Sequence, residues 1–221
     1  MIEPAVAPAR RIVVVSPHLD DGVLSLGAAM ASWARGGSRV ELLTVLACDP
    51  GSDAPAGGWD ARGGFATEGE SARARREEDS RACAILGVVP VWLPFGSVDY
   101  ERHGTEDDVR AAVEAAVRGA EEVLVPGFPL THPDHAWLAG VVDGTGRYLE
   151  QPYGRRHGAE PRDYEPVSVS PRDRLAKWRA IRAYRSQLPL LGMRRSLRRG
   201  ALATVVAREA LAGPGTNLPR R

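Results

Sequence analysis

Short apolar runs alternate with amphipathic stretches along most of the chain. The apolar runs are short and rich in valine and leucine, as expected for strands buried on both faces of a parallel sheet; they cover 11–15, 39–47, 88–93 and 121–125. The stretches between and after them show helical spacing and predict helices over 21–35, 70–86, 106–120, 135–142 and 170–187. Alternating strands and helices predict an α/β fold with a mostly parallel sheet.

Two long stretches, 49–69 and 143–165, show neither the apolar runs of a buried strand nor the spacing of a helix, and they are rich in glycine and proline. We expect both to be mobile loops that border a functional site. Trp59 in the first loop could stack on a substrate ring, or it could only anchor the loop. A last strand is expected over 201–208, and the tail from about residue 213 is expected to be disordered. We expect one domain, 1–221.

Composition excludes several classes of partner. The formal net charge of the 221 residues is +1, so nothing favours nucleic acid or an anionic membrane as a partner. No apolar run approaches a membrane span, and the N-terminus does not resemble a signal peptide. Cys48 and Cys83 are expected to be reduced thiols rather than a disulfide. We therefore expect a cytoplasmic protein with no membrane attachment.

Polar side chains follow two of the predicted strands directly. Ser16-Pro17-His18-Leu19-Asp20-Asp21 comes after the first strand, and His132-Pro133-Asp134-His135 comes after the fourth. Each motif precedes a predicted helix. Aspartates before a helix are often caps, but capping does not explain two carboxylates beside a histidine. Right-handed crossovers place both motifs at the same edge of the sheet, where ligands bind in α/β proteins.

The two motifs together offer the residues of a metal-dependent hydrolase. Two imidazoles and a carboxylate suit Zn²⁺, and Fe²⁺ could use the same ligands. When bound, such an ion lowers the pKa of water and polarises a carbonyl. A further carboxylate could take a proton from water, and a further histidine could protonate a leaving amine.

At these motifs the chain resembles the PIG-L/LmbE-like deacetylases, which are zinc enzymes with a Rossmann-like fold. Two weaker patterns of that family also match, an Arg-x-x-Glu helix at 75–87 and a helix ending in Ser-Gln at 177–187. The resemblance implies a Rossmann-like three-layer sandwich. It also implies removal of an N-acetyl group from an amino sugar or a glycosylated small molecule, as in antibiotic or thiol pathways.

The resemblance also implies a role for each residue of the motifs. The zinc ligands would be His18, Asp21 and His135, the general base Asp20, and the residue that stabilises the oxyanion and protonates the amine His132. Arg75 would lie near the substrate, with Asp99 a further candidate contact. The chain departs from the family at Gly22, where glutamate is common, and at Leu130, where some thiol-pathway members have tyrosine.

Two alternatives remain open at this point. An amidase of the same family, cleaving a larger amide such as a thiol conjugate, would use the same five motif residues. A non-catalytic Rossmann-like binding module would need a Gly-x-Gly-x-x-Gly turn after the first strand, and Pro17-His18-Leu19-Asp20 occupies that turn. The sequence leaves the acyl acceptor and the oligomeric state undetermined.

Overall fold

In the computed structural model, alternating strands and helices build one mixed sheet with helices on both faces. Residues 10–96, 104–153, 163–192, 205–206 and 208–213 are described. The strands are β1 Arg11–Ser16, β2 Arg39–Thr44, β3 Val89–Trp92, β4 Glu122–Pro126, β5 Gly146–Tyr148, β6 Glu165–Pro166 and β7 Ala210–Ala212. The helices are α1 Asp21–Arg35, α2 Gly58–Gly63, α3 Glu68–Leu86, α4 Glu106–Val117, α5 Pro133–Val141 and α6 Pro171–Ile181.

The sheet confirms the predicted α/β class. Its strand order is β3-β2-β1-β4-β5-β7-β6. The first five strands pair in parallel, while β7 pairs antiparallel with both β5 and β6. The order of the parallel strands reverses between β1 and β4. A crevice at the carboxyl ends of the strands opens at such a reversal, and both histidine motifs begin there.

Alternate residues of β1 enter two separate apolar layers, because successive side chains of a strand point to opposite faces. Ile12 and Val14 pack with α1, α3 and α6 on one face. Val13 and Val15 pack with α4 and α5 on the other. The sheet is thus covered on both sides, which explains why its central strands are apolar without alternation.

Helix α1 is fixed by a buried ion pair beneath its first half. Leu26 is non-helical (φ −124°), and just beyond it the amides of Ala28 and Ala29 donate to the Glu209 carboxylate at 2.8 and 2.7 Å. The ammonium of Lys177 on α6 lies 2.6 Å from the same carboxylate and is fully buried. Glu209 therefore satisfies amides freed by the kink, and Lys177 compensates its charge.

Several predicted boundaries needed correction. The stretch 143–165, predicted as irregular, contains β5, whose three residues are too few to produce a recognisable pattern. Helix α6 ends at Ile181 rather than Gln187. Strand β7 lies at 210–212, beyond the predicted strand 201–208, of which residues 205–206 are helical and residues 201–204 and 207 are outside the described part of the chain. The tail from 214 also lies outside the described residues. Both cysteines are free thiols, and no helix in the described ranges is long and apolar enough to cross a membrane.

Candidate active site

The end of β1 holds two aspartates, neither of which caps α1 through its side chain as an N-cap would. Asp20 occupies the N-cap position with φ 151°, in a region that favours glycine, and makes no side-chain cap bond. Asp21 turns back instead, and its Oδ2 accepts from the backbone N–H of His18 at 3.1 Å. The strained backbone of Asp20, with its positive φ, is typical of functional sites. Capping, the alternative explanation for these aspartates, does not account for them.

The end of β4 is organised by a histidine cap. The Nδ1 atom of His132 accepts from the backbone N–H of Asp134 at 3.2 Å, so His132 is the N-cap of α5. The Asp134 carboxylate points to the other motif, where its Oδ2 lies 3.0 Å from Nε2 of His18. His135, in the first turn, is completely buried.

Three side-chain atoms from the two motifs form a nearly equilateral triangle. Asp21 Oδ2 lies 3.1 Å from His18 Nδ1 and 3.1 Å from His135 Nε2. The two nitrogens are 3.2 Å apart. Donor atoms bound tetrahedrally at about 2.0–2.1 Å from one zinc ion would stand about 3.3 Å apart. The spacing of the triangle therefore fits the ligand set of a divalent ion.

Two further carboxylates orient the histidine rings of the triangle. Asp134 faces the outer nitrogen of His18, Nε2, and Glu150 lies 2.6 Å from the outer nitrogen of His135, Nδ1. A carboxylate behind the ring accepts a hydrogen bond from the N–H of the outer nitrogen, which leaves the inner nitrogen with its lone pair, as in the carboxylate–histidine–metal arrangement. Both inner nitrogens are thereby directed at the same point as Asp21.

The electrostatics of this cluster favour a cation. Burial opposes a charge on His135, but Asp21 and Glu150 overcome it and raise the pKa of His135 to about 11. Burial alone would raise the pKa of Asp21, yet His135 and His18 hold it well below its usual value. Four buried carboxylates surround three histidines here: Asp20, Asp21, Asp134 and Glu150. A field that stabilises an imidazolium would also stabilise a divalent cation.

The third histidine can also face the same point. Ligand atoms of His18, His132 and His135 all lie within 4.8 Å of one another. Burial and the neighbouring His18 and His135 lower the pKa of His132, which favours a neutral ring. Because its Nδ1 accepts a hydrogen bond, the proton of that neutral ring is on Nε2. His132 can therefore serve as a hydrogen-bond donor through Nε2.

Asp20 differs from Asp21 in its surroundings. Burial, and after it repulsion from Asp21, raises the pKa of Asp20 above its usual value. Positive charges oppose this rise, and the guanidinium of Arg75 opposes it most strongly. The pKa of the Asp20 carboxyl is therefore closer to neutral pH than the pKa of an exposed aspartate. A general base is most effective in that range.

A cavity of about 260 Å³ begins at His18 and extends between α2 and α3. Its apolar wall includes Leu19, Leu46 and Phe95. The polar residues that line it are Cys48, Asp60, Glu68, Ser71 and Arg75. Pro50, Asp60 and Glu68 belong to the stretch 49–69, which therefore contributes to the wall; the mobility expected of that stretch stays a prediction.

The three residues proposed for substrate contact have different positions. Arg75 lines the cavity, with Nη1 3.5 Å from Asp60 Oδ1. Trp59 is not among the residues that line this cavity; its indole N–H donates to Gln187 at 2.9 Å, and Arg62 covers its ring. Asp99 lies outside the described residues. A substrate-stacking role for Trp59 therefore receives no support from this geometry.

The charged face of α3 is partly buried, although charges along a helix usually mark a solvated face. Asp79 is fully buried and accepts from Trp92 Nε1 at 2.8 Å and from the Tyr184 hydroxyl at 2.7 Å. Glu78 accepts from the amide and hydroxyl of Ser186. The Arg-x-x-Glu helix and the Ser-Gln segment thus form one hydrogen-bonded unit.

Glu150 is the functional residue that the sequence interpretation missed. It is 2% exposed and bonds to both His135 and the backbone N–H of Leu130. The available signal was its position two residues beyond β5, a third strand ending at the same edge. That strand is too short to be recognised from its pattern.

Comparison with known proteins agrees with this architecture. The fold and the cluster define an α/β protein with a candidate metal centre at the carboxyl edge of its sheet. Residues 13–143, more than half of the chain, match the profile of the PIG-L family, described as GlcNAc-PI de-N-acetylase. The chain belongs to this family, and the resemblance inferred from the motifs is confirmed.

Individual relatives point to related chemistry. A 2'-N-acetylparomamine deacetylase from Streptomyces fradiae is 31% identical over 159 residues, which are 61% of this chain and 51% of the relative. The chain thus spans about half the length of that curated relative. A crystal structure of a deacetylase triple mutant from the teicoplanin biosynthetic pathway is 27% identical, with a TM-score of 0.74 over 92% of this chain and 97% of that one.

A second solved structure shows the same fold in a protein named for a different reaction. The 4-carboxy-2-hydroxymuconate hydratase from Pseudomonas putida KT2440 is 22% identical, with a TM-score of 0.65 over 96% of this chain and 99% of that one. The likeness concerns the fold alone. The reaction must therefore be argued from the residues of the site.

Proposed function

We propose that this protein is a metal-dependent hydrolase that removes the acetyl group from an N-acetylated amino sugar, and that His18, Asp21 and His135 hold the ion. The observation that carries the proposal is the triangle of Asp21 Oδ2, His18 Nδ1 and His135 Nε2, with a carboxylate behind each ring. Zn²⁺ and Fe²⁺ both suit this donor set.

The chain's own residues supply the proton transfers. Asp20 accepts a proton from the water that attacks the acetyl carbonyl. His132 donates from Nε2 to the carbonyl oxygen as negative charge develops there. Because a neutral ring cannot give up that proton without becoming an imidazolate, the proton that Asp20 took from the water is delivered to the nitrogen as the C–N bond breaks. The products are acetate and the protonated amine. Asp20 is buried and His132 is half-buried at the crevice, which limits competing solvent.

The amino-sugar substrate rests on the relatives. One is named as a 2'-N-acetylparomamine deacetylase, and another is a deacetylase of the teicoplanin biosynthetic pathway. We therefore propose an N-acetylated, glycosylated natural product as the substrate. An amidase acting on a larger acyl group would use the same cluster and remains the alternative.

Acetate release tests the proposal. Enzyme reconstituted with Zn²⁺, and separately with Fe²⁺, is incubated with N-acetylated aminoglycosides, N-acetylglucosamine glycosides and an amide of a longer acid. We expect acetate from at least one acetylated sugar and none from enzyme treated with a chelator. Release of only the longer acid would favour the amidase, and no release from any amide would contradict hydrolysis.

A further inference from the structure

Helix α1 contacts the candidate metal centre through its first residue. Asp21 begins the helix, and its Oδ2 lies 3.1 Å from Nε2 of His135. Ser25 is four residues further along α1, so its side chain lies on the same face of the helix, about one turn from Asp21. Ser25 is completely buried. The same turn of helix therefore fixes the Asp21 carboxylate and the Ser25 hydroxyl.

The Ser25 hydroxyl holds the segment that follows β5. Its Oγ accepts from the backbone N–H of Gln151 at 3.1 Å, and Gln151 is 1% exposed. The side-chain amide of Gln151 forms no hydrogen bond with any described residue. A buried backbone N–H needs an acceptor, and here the acceptor is a side chain of α1 rather than a neighbouring strand. A single substitution at Ser25 would therefore remove this contact.

Glu150 lies directly before the contact with Ser25. Its carboxylate is 2.6 Å from Nδ1 of His135, the outer nitrogen of the ring. The backbone N–H of Glu150 donates to the carbonyl of Phe128 at 2.8 Å, and that of Leu149 donates to the carbonyl of Ala210 at 3.0 Å. Main-chain bonds thus hold the segment up to Glu150, and the Ser25 hydroxyl holds the residue after it.

Both nitrogens of the His135 ring are consequently reached from α1. Asp21 acts directly on Nε2. Ser25 acts on Nδ1 through the backbone of Gln151 and the carboxylate of Glu150. Four residues of an α-helix span about 6 Å. The separation of Asp21 and Ser25 along one rigid turn therefore helps to set the direction in which the ring presents its inner nitrogen.

The position of Ser25 is fixed by contacts outside the histidine motifs. The non-helical residue Leu26 follows it, and the ammonium of Lys177 donates to the Ser25 carbonyl at 3.3 Å. Gly27 leaves room for this lysine, because a Cβ atom there would lie 2.9 Å from Cγ of Lys177. The kink of α1 and the buried ion pair beneath it thus hold Ser25 in place.

We propose that Ser25 is a positioning residue of the metal centre, a proposal that rests on the ligand set proposed above. Its hydroxyl fixes Gln151 and, through the adjoining backbone, the Glu150 carboxylate that orients the His135 ring. Groups that orient ligands change metal affinity without touching the ion. Ser25→Ala should therefore weaken metal affinity about 3–10-fold, the effect of one neutral hydrogen bond.

A double-mutant cycle tests whether Ser25 acts through Glu150. Zn²⁺ affinity is measured by competition with a chromophoric chelator for the wild type, Ser25→Ala, Glu150→Gln and the double variant. The loss caused by Ser25→Ala should shrink to less than about twofold when Glu150 is already replaced. Should Ser25→Ala not fold, Ser25→Cys takes its place in the cycle, because a thiol is a weak acceptor of similar size.

Thr145→Val is the matched control. It also removes a hydroxyl that accepts from a backbone N–H, that of Val123 at 2.9 Å, but it does so at the start of β5. Its Zn²⁺ affinity should equal that of the wild type. Equal losses from Ser25→Ala in both backgrounds, or wild-type affinity in Ser25→Ala, would overturn the proposal.

The outcomes separate this proposal from the proposed function. Acetate release is measured independently, and its absence together with the expected cycle would contradict the hydrolase and support the positioning role. If the wild type binds no divalent ion, the NMR signal of the His135 Nδ1–H decides. A shift of that signal in Ser25→Ala, absent from Thr145→Val, would support the role of Ser25, and an unchanged signal would overturn it.

Discussion

The two sides of the candidate active site differ in how their polar atoms are paired. On the cluster side, His18 and His135 each have a carboxylate behind the ring, and their inner nitrogens face Asp21. On the cavity side, the Ser71 hydroxyl and Arg75 Nε have no partner among the described residues, and the Arg75–Asp60 contact is long. The polar side chains of the cluster are thus held by other protein groups and directed at one point, whereas some polar atoms of the cavity wall have no protein partner among the described residues.

This difference distinguishes the residues that would carry out the reaction from the residues that would recognise the substrate. A centre that must hold reacting groups within fractions of an ångström needs side chains whose orientation is fixed before substrate arrives. A recognition surface gains specificity when its polar groups are left unpaired by the wrong ligand. Substitutions in the cluster should therefore affect all substrates, whereas substitutions in the cavity should change the preference among them.

The largest effect is expected from removing a proposed ligand. His135→Ala should lose the metal ion and, with it, activity by more than the roughly 10²–10⁴-fold that a general base contributes. Metal content per chain is measured alongside acetate release, with circular dichroism to verify folding. His103→Ala, which changes a histidine outside both motifs, is the control. Wild-type metal content in the folded variant would refute the assignment.

The next effect concerns the adjacent carboxylates. Asp20→Asn should retain the metal but lose activity about 10²–10⁴-fold, because it removes a proton acceptor and no ligand. Asp21→Asn should lower metal content instead, with partial recovery at high added zinc. The two variants, matched in chemistry and adjacent in sequence, are compared by metal analysis and turnover. If Asp20→Asn lost the metal and Asp21→Asn kept it, the roles would be exchanged.

A smaller effect is expected from the carboxylates behind the rings. Glu150→Gln should weaken metal affinity about 10–100-fold, since an amide no longer stabilises the ring orientation as a carboxylate does. Asp134→Asn should act similarly through His18. Competition with a chromophoric chelator measures both affinities. Unchanged affinity in both variants would show that the orientation of the rings is set by packing alone.

The smallest effect belongs to the cavity wall. Burial raises the pKa of both thiols, but Cys83 is fully buried in the core whereas Cys48 lines the cavity. Iodoacetamide should therefore modify Cys48 first. A bound glycoside at three times its Kd should slow that reaction about fourfold, following 1 + [L]/Kd. Mass spectrometry of the two cysteine peptides measures the rates, and equal rates with and without glycoside would contradict contact at this wall.

The cluster could be largely predicted because its signals are local. Each motif follows an apolar strand and precedes a helix, and the topology of parallel sheets brings such positions to one edge. His18 and His135 are therefore expected to meet although 117 residues separate them. Thr105 and Ser170 are local signals too, because each caps a helix through its side chain, and both helices begin within one residue of the predicted start.

The sequence itself determined the alternation of elements, the class of fold and the edge at which the histidine motifs lie, because these depend on periodicity and chain topology. The tertiary structure alone decided the partners of the remaining polar residues. Glu78 and Asp79 have the spacing of a solvated helix face, and only the packing of α3 against the Ser-Gln segment and Tyr184 buries them. Glu150 and Trp59 acquire their roles from contacts with residues distant in sequence, and no local pattern carries that information.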